Sequence, residues 1–363
     1  MLRGEADPGR RALGLALAAG VGVLAAVLVM LGNPGNMGIC GACFVRDAAG
    51  ALRLQTTGPA VFRPELTGVA LGAFAFGLAT RRPPRAGGYA GARFALCLFM
   101  ALGALVFLGC PFRMLQRLGG GDPTAWLALP GLVLGVGLGM VFERRGPPVG
   151  RTAPAPWIVG LVGPLAAIGI LVLFVSGVLA GPAPGDDTGP AHAPWLASLG
   201  LALLAGVALS ATGFCAISAS RQVVRGPRPM LLGAFVLVAS YAVVVAVTGV
   251  PRFGSSPAAH GDWLWNTLGL GLAGLTGVLA GGCPVRQLVM AGEGNADAFV
   301  GVAGLTAGGA LAHTLGIVSI GASAEAPGGA TSAGQVAVLV GFGFAIAYGR
   351  PDATRPVEAT GPR

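Results

Sequence analysis

About ten stretches of this chain are long and apolar enough to be uncomfortable anywhere but in a lipid bilayer. We read them at about 12–31, 60–80, 93–109, 126–142, 158–181, 195–213, 230–250, 263–282, 297–320 and 333–349. A run of roughly 18 apolar residues suggests a spanning helix, because hydrocarbon offers the backbone no partner except itself. Only 10% of residues are charged and the mean hydropathy is +0.76, where a soluble domain carries about 25% charged residues. The chain has 64 glycines, and small residues let membrane helices approach closely. The expected fold is an all-α integral membrane protein with about ten transmembrane helices packed as a tight bundle.

Pro, Gly and Arg punctuate the loops, as in Arg81-Arg82-Pro83-Pro84, Arg144-Arg145-Gly146-Pro147-Pro148 and Gly181 to Pro194. Residues 1–11 and 350–363 read as polar tails, with membrane regions at 12–181 and 195–349. Lysine is absent, so all 23 basic residues are arginine. Roughly three in four of them fall on the side holding both termini, which the positive-inside rule makes cytoplasmic. The net charge of +9 does not indicate nucleic acid, because the arginines are scattered through loops with no basic domain. No cleavable signal peptide, Walker loop, dinucleotide fingerprint or zinc-spaced Cys/His set is present. No cofactor is expected, and the chain is not expected to be an enzyme.

Gly109-Cys110-Pro111-Phe112-Arg113 returns as Gly282-Cys283-Pro284-Val285-Arg286, each copy after an apolar run. Proline favours the first helical position, so each cysteine is expected at a helix cap with an arginine one turn on. Free backbone N–H groups and the helix dipole there favour an anion or a thiolate. A second pair aligns Cys40 with Cys215, Cys43 with Ser218 and Arg46 with Arg221. The flanking spans match in order, which makes two repeats of about five helices. An odd number of spans inverts the second repeat in the membrane, with a site at the interface of the halves. Cys40, Cys43 and Cys110 then belong to an outer mouth, Cys215 and Cys283 to an inner one. Their segments are too short to span and too glycine-rich for ordinary helices, so we expect re-entrant pieces lining a path.

Arginine near hydrocarbon usually marks function. Arg46, Arg113, Arg221 and Arg286 beside helix starts suit an anion, and thiols add affinity for sulfur, selenium or soft metals. The arginines argue against a metal cation, leaving an anion that contains a chalcogen. The plainer alternatives are inert buried cysteines and arginines that snorkel to the interface; the repetition weighs against both. A different class of function is a membrane thiol-disulfide oxidoreductase using the Cys40-Gly41-Ala42-Cys43 pair. Against it, Ser218 replaces the second cysteine in the matching copy, and neither Gly-Cys-Pro element has a cysteine near it in sequence.

The run from Gly35 to Asp47, the paired Gly-Cys-Pro elements and Gly213-Phe214-Cys215-Ala216-Ile217-Ser218-Ala219-Ser220-Arg221-Gln222 resemble the YeeE/YedE family of bacterial inner-membrane proteins. The likeness is greatest to its YedE-related branch, associated with selenium metabolism, and covers roughly residues 12–349. The resemblance implies an hourglass-like transporter in the inner membrane that takes up thiosulfate or a selenium compound, passing it between cysteines. Those roles would fall on Cys40, Cys110 and Cys283, with Cys215 as the repeat mate of Cys40. A cytoplasmic sulfurtransferase or selenium-handling protein would be the soluble partner.

Among other residues, Cys97 aligns with Leu270 and reads as packing. His192 and His260 read as solvated loop residues, and His313 as a core histidine. Asp122, Glu293 and Asp297 follow the Gly-Cys-Pro helices and are expected to pair with nearby arginines. The five tryptophans cluster near span ends, as interfacial anchors do.

Overall fold

The computed structural model describes residues 8–144, 148–181, 192–226, 228–249, 259–323 and 325–350. The expected tail segments 1–7 and 351–363 and most of the 181–194 linker lie outside the described residues. The chain is mostly helical. Its first half runs α1 (Pro8–Met30), α2 (Gly41–Ala51), α3 (Pro64–Ala79), α4 (Ala90–Val106), α5 (Pro111–Gly119), α6 (Pro123–Glu143), α7 (Trp157–Gly160) and α8 (Val162–Val175). Its second half runs α9 (Trp195–Thr212), α10 (Ala216–Val224), α11 (Pro229–Thr248), α12 (Trp263–Leu279), α13 (Pro284–Gly292), α14 (Ala296–Thr314) and α15 (Ser332–Gly349). Two strands of two residues, β1 (Arg85–Ala86) and β2 (Ala153–Pro154), pair antiparallel and tie two loops together.

Every apolar run read from the sequence is largely helical here, the one at 158–181 as α7 and α8, but they are not equal. Among the described residues, seven helices are long and apolar enough to cross a membrane, counting α4, α9 and α12 with the short helices that follow them. α3 and α8 are apolar but shorter, and α14 carries Asp297 and His313. The helix of the first span begins at Pro8 rather than at 12, because proline fits the first turn, where its missing N–H leaves nothing unpaired. Arg10 and Arg11, expected in a tail, therefore belong to α1. The cysteine-bearing segments, expected to be irregular, are regular helices of 9 to 11 residues. Their glycines fall at the ends and in the linking turns, where they cost a helix little.

The bundle packs through glycines. α6 lies on α12 and α4 on α14; α3 lies on α9 and α1 on α11. A side chain at Gly131 would meet the Thr267 carbonyl at 2.0 Å, and one at Gly135 the Gly271 carbonyl at 2.0 Å. In the other helix pair, Gly304 faces the Phe94 carbonyl at 2.3 Å and Gly308 the Leu98 carbonyl at 2.5 Å. Large apolar side chains cover the outer surface, among them Leu134, Ile158, Phe235 and Val247. A soluble monomer seldom exposes so much.

Candidate thiol and arginine site

Each of the four short helices starts on a cysteine. Cys40, Cys110, Cys215 and Cys283 are the N-cap residues of α2, α5, α10 and α13, all with extended backbone. Pro111 and Pro284 occupy the first turn of α5 and α13, as expected of the repeated motif. Each Gly-Cys-Pro helix is entered through a left-handed residue, Leu108 (φ 57°) or Gly281 (φ 85°), and left through another, Gly121 (φ 75°) or Gly294 (φ 86°). Leu108 holds a conformation that glycine adopts freely in the matching position.

The caps converge in the middle of the bundle. The Cys40 Sγ lies 2.7 Å from Cys43 Sγ and 3.7 Å from Cys110 Sγ, and it accepts from the Cys43 N–H at 3.3 Å. Cys215 Sγ accepts from the Cys283 N–H at 3.4 Å. The two groups meet because Gly41 has no side chain: a Cβ there would lie 2.6 Å from the Val285 nitrogen. Phe112 also packs edge-on against Phe214, with centroids 5.8 Å apart. All five thiols are free and no more than 2% exposed. The sequence separated them into two mouths; in the structure the two thiol groups are neighbours, joined through the touching starts of α2 and α13. Each Gly-Cys-Pro cysteine has a thiol neighbour, which spacing along the chain concealed.

Of the four expected arginines, Arg113 is the one in contact with a thiol, and the others are held at carboxylates. Arg113 donates to the carbonyls of Leu108 (2.7 Å), Asn36 (3.1 Å) and Gly35 (3.1 Å), with Cys43 Sγ at 3.9 Å. It therefore braces the loop before Cys40 as well as placing positive charge beside the thiols. Arg46 pairs with Asp47 at 2.5 Å. Arg221 forms a two-point pair with Glu143 at the end of α6. Arg286 is held by Glu293 at 3.1 Å. Its stem folds over Gly282 as that of Arg113 folds over Gly109.

Several polar residues escaped sequence reasoning. Arg63 is 1% exposed and donates to Asp47, with its Nη1 unpaired. Arg117 is fully buried, bonded to Asp122, Thr124 and the Phe107 carbonyl, and stacked on the Phe107 ring. As expected, Asp122 and Glu293 pair with arginines; Asp297 instead accepts from the Gly88 N–H. His192 and His260, read as solvated, are buried. His192 contacts Glu65 at 3.0 Å and His260 contacts the Val106 carbonyl at 2.8 Å. Loop composition cannot reveal that a loop is tucked between helices. His313 is half-buried, and Cys97 is buried in α4.

Polar groups gather at opposite ends of α14. At its C-terminal end are His313 and, beside Gly58 and Thr57, the Arg46–Asp47–Arg63 group. At its N-terminal end a cavity of about 540 Å³ is lined by Arg82, Arg85, Arg93, Arg286, Glu143 and Glu293, with apolar and backbone groups between them. A 19-residue helix separates the two by roughly 28 Å. Buried thiols between two arginine-bearing ends, in a bundle with a lipid-like exterior, point to a multi-pass membrane protein with a polar interior. No known protein family's sequence profile matches the chain, and no curated protein matches it either.

Proposed function

We propose that this protein is a transporter or channel for a sulfur- or selenium-containing anion, thiosulfate-like or a selenium compound. The observation that carries the reading is the placing of four buried thiols at helix N-caps, with Cys43 beside Cys40, between two arginine-bearing ends. Helix N-termini and guanidinium groups favour an anion, and soft sulfur favours a chalcogen over a hard oxyanion alone. The thiols are sealed from solvent as they stand, so passage requires side chains to move. Alternating access about a site between two halves is one physical route.

Reciprocal packing supports the inverted-repeat reading. Gly131 on Thr267 has its counterpart in Gly304 on Phe94, and Gly135 on Gly271 in Gly308 on Leu98. Each position and its partner exchange halves under the alignment that sets Cys110 on Cys283. We place ten spans in a bacterial inner membrane with both termini cytoplasmic, which puts the 540 Å³ cavity on the cytoplasmic side and the Arg46–Arg63 group outside. A cytoplasmic protein that handles sulfur or selenium would then receive the anion.

The test is uptake of labelled thiosulfate and selenite by purified protein in liposomes. Cys110→Ala and Cys283→Ala are expected to abolish uptake while the protein stays folded; wild-type uptake from both would defeat the reading. A second reading, membrane thiol-disulfide exchange, is favoured by the close approach of Cys40 and Cys43. Cys43→Ser separates the two, since an exchange enzyme loses activity and a conduit led by Cys40 keeps much of it.

A further inference from the structure

Two guanidinium groups converge on one carboxylate at the wall of the 540 Å³ cavity. Arg82, in the loop after α3, donates from Nη1 to Glu293 Oε1 at 2.8 Å. Arg286, on α13, grips both oxygens, Nη1 to Oε1 at 3.2 Å and Nη2 to Oε2 at 3.1 Å. The Ser210 hydroxyl, on α9, donates to Oε1 at 2.8 Å. Arg82 is itself anchored, because its Nη2 donates to the Ser210 carbonyl at 3.3 Å. Segments far apart in the chain thus aim a set of charged and neutral donors at two oxygens, which is what recognition of a small oxyanion requires. Arg82, Arg286 and Glu293 all line the cavity, and their side chains keep 36%, 9% and 12% of their surface accessible. An ion in the cavity can reach them.

Glu293 does little for the helix that carries it. It is the C-cap of α13, where the helix dipole disfavours a negative charge. Nor does an arginine in this position need a carboxylate. The alignment that sets Cys110 on Cys283 sets Arg113 on Arg286 and Gly120 on Glu293. Arg113 is satisfied by three backbone carbonyls. The carboxylate stands in one copy only, at the arginine that borders a cavity. Four arginines line that cavity against two glutamates, and Glu143 already pairs with Arg221. Arg85 has no ion pair among the described residues, and its backbone N–H donates to the carbonyl of Gly294, the residue after Glu293. The wall therefore keeps an excess of positive charge with Glu293 in place, and a carboxylate that left the two arginines would have Arg85 close by.

We propose that Arg82, Arg286 and Ser210 form a binding site for a small oxyanion, that Glu293 fills it as a built-in carboxylate, and that an oxyanion entering from the cavity takes the carboxylate's place. The exchange trades one set of charged hydrogen bonds for a like set, so neither occupant is bound irreversibly. Glu293 then sets how tightly the cavity holds its anion, since every anion bound must first displace it. The inference concerns binding alone and stands whether or not the anion crosses the membrane.

Sulfate is the probe for calorimetric titration of the full-length protein in detergent. Glu293→Gln keeps the shape of the side chain and removes the competing charge. It is expected to bind sulfate at least about ten-fold tighter than wild type, the scale of one charged hydrogen-bonded contact. Adding Arg286→Gln to it is expected to abolish that gain. A fixed structural ion pair predicts instead that Glu293→Gln lowers the melting midpoint and leaves sulfate affinity unchanged. Selenate, which has the shape of sulfate and a strong anomalous signal, tests the wild type directly. Crystals grown with it are expected to place selenium between the Arg82 and Arg286 guanidinium groups, with Glu293 turned away. That experiment needs no variant, so misfolding of Glu293→Gln leaves the proposal testable. Folded Glu293→Gln that binds sulfate no tighter than wild type, a gain that survives Arg286→Gln, or selenate-grown crystals with Glu293 still bonded to both arginines would each overturn it. Tighter sulfate binding by Glu293→Gln without uptake of any chalcogen anion by the wild type would remove the transport reading and keep this site; wild-type uptake with no such tightening would do the reverse.

Discussion

Gly41→Ala tests whether the two thiol groups must touch. Gly41 is the first helical residue of α2, where alanine is sterically acceptable to the backbone and is intrinsically better by up to ~1 kcal/mol. Local propensity alone thus predicts a neutral or stabilising change. The structure predicts the opposite. The new methyl would lie 2.6 Å from the Val285 nitrogen, 2.7 Å from the Pro284 carbonyl carbon and 2.9 Å from the Pro284 Cβ, where ordinary contact begins at 3.4 Å. The start of α13 has to retreat by roughly 0.8 Å, and it is backbone, not a flexible side chain, that must move. Overpacking of this kind typically costs 1–3 kcal/mol. Set against the propensity gain, the net expectation is a loss of about 1–2 kcal/mol. The retreat also moves the start of α13, which carries Cys283, away from the start of α2, which carries Cys40, and displacements near 1 Å at a positioned site can cost about 100-fold in rate. Uptake in liposomes should fall at least about ten-fold, with a lowered melting midpoint. Gly20→Ala, in α1 with nothing within 4 Å of the new methyl, is the control and should melt no lower than wild type. Wild-type uptake and melting from Gly41→Ala would refute the contact argument.

Other consequences are equally direct. Asp122→Ala strands the buried Arg117 charge and removes the cap of α6, so stability should fall by about 3–5 kcal/mol in a denaturation series. Replacing Arg117 by Met in the same protein should recover part of that loss, because no unpaired charge remains. Gly135→Ala and Gly308→Ala drive a methyl into a carbonyl of the facing helix in matching places. Both should be severely destabilising and alike in thermal melts, and a mild effect from either would count against equivalent packing of the halves. His260, in the loop before α12, donates from Nε2 to the Val106 carbonyl and accepts at Nδ1 from the Asp262 N–H. Burial pushes its pKa below the usual histidine value of 6.5. The unfolded chain then binds the proton more readily, so stability is fully present above pH 6.5 and declines as pH falls below it. His260→Gln should flatten that slope in melts recorded between about pH 5 and 7.

The cysteine caps were legible because their cause is local. A proline after a cysteine, at the end of an apolar run, specifies a helix start wherever the segment lies. The regularity of the four short helices was not, because Gly120 and Gly281 look like helix breakers in the sequence while in the fold they stand in the turns outside the helices. Nothing in the sequence marks Arg93, in the first turn of α4, as a buried residue. The packing of α14 on α4 buries it, with its Nε and Nη1 left without a hydrogen-bond partner. His192 failed for the same reason in reverse, since Glu65 and Asn33, which enclose it, are far away in the chain.

Composition and period decided the solvent: residues this apolar, in runs of this length, can only bury their backbones as helices in lipid. They also decided where helices begin. Which thiols meet and which arginines are neutralised were settled by contacts between residues tens to hundreds of positions apart, such as Cys40 with Cys110 and Arg82 with Glu293. Those contacts depend on how closely glycine lets two helices approach, a distance no single segment contains.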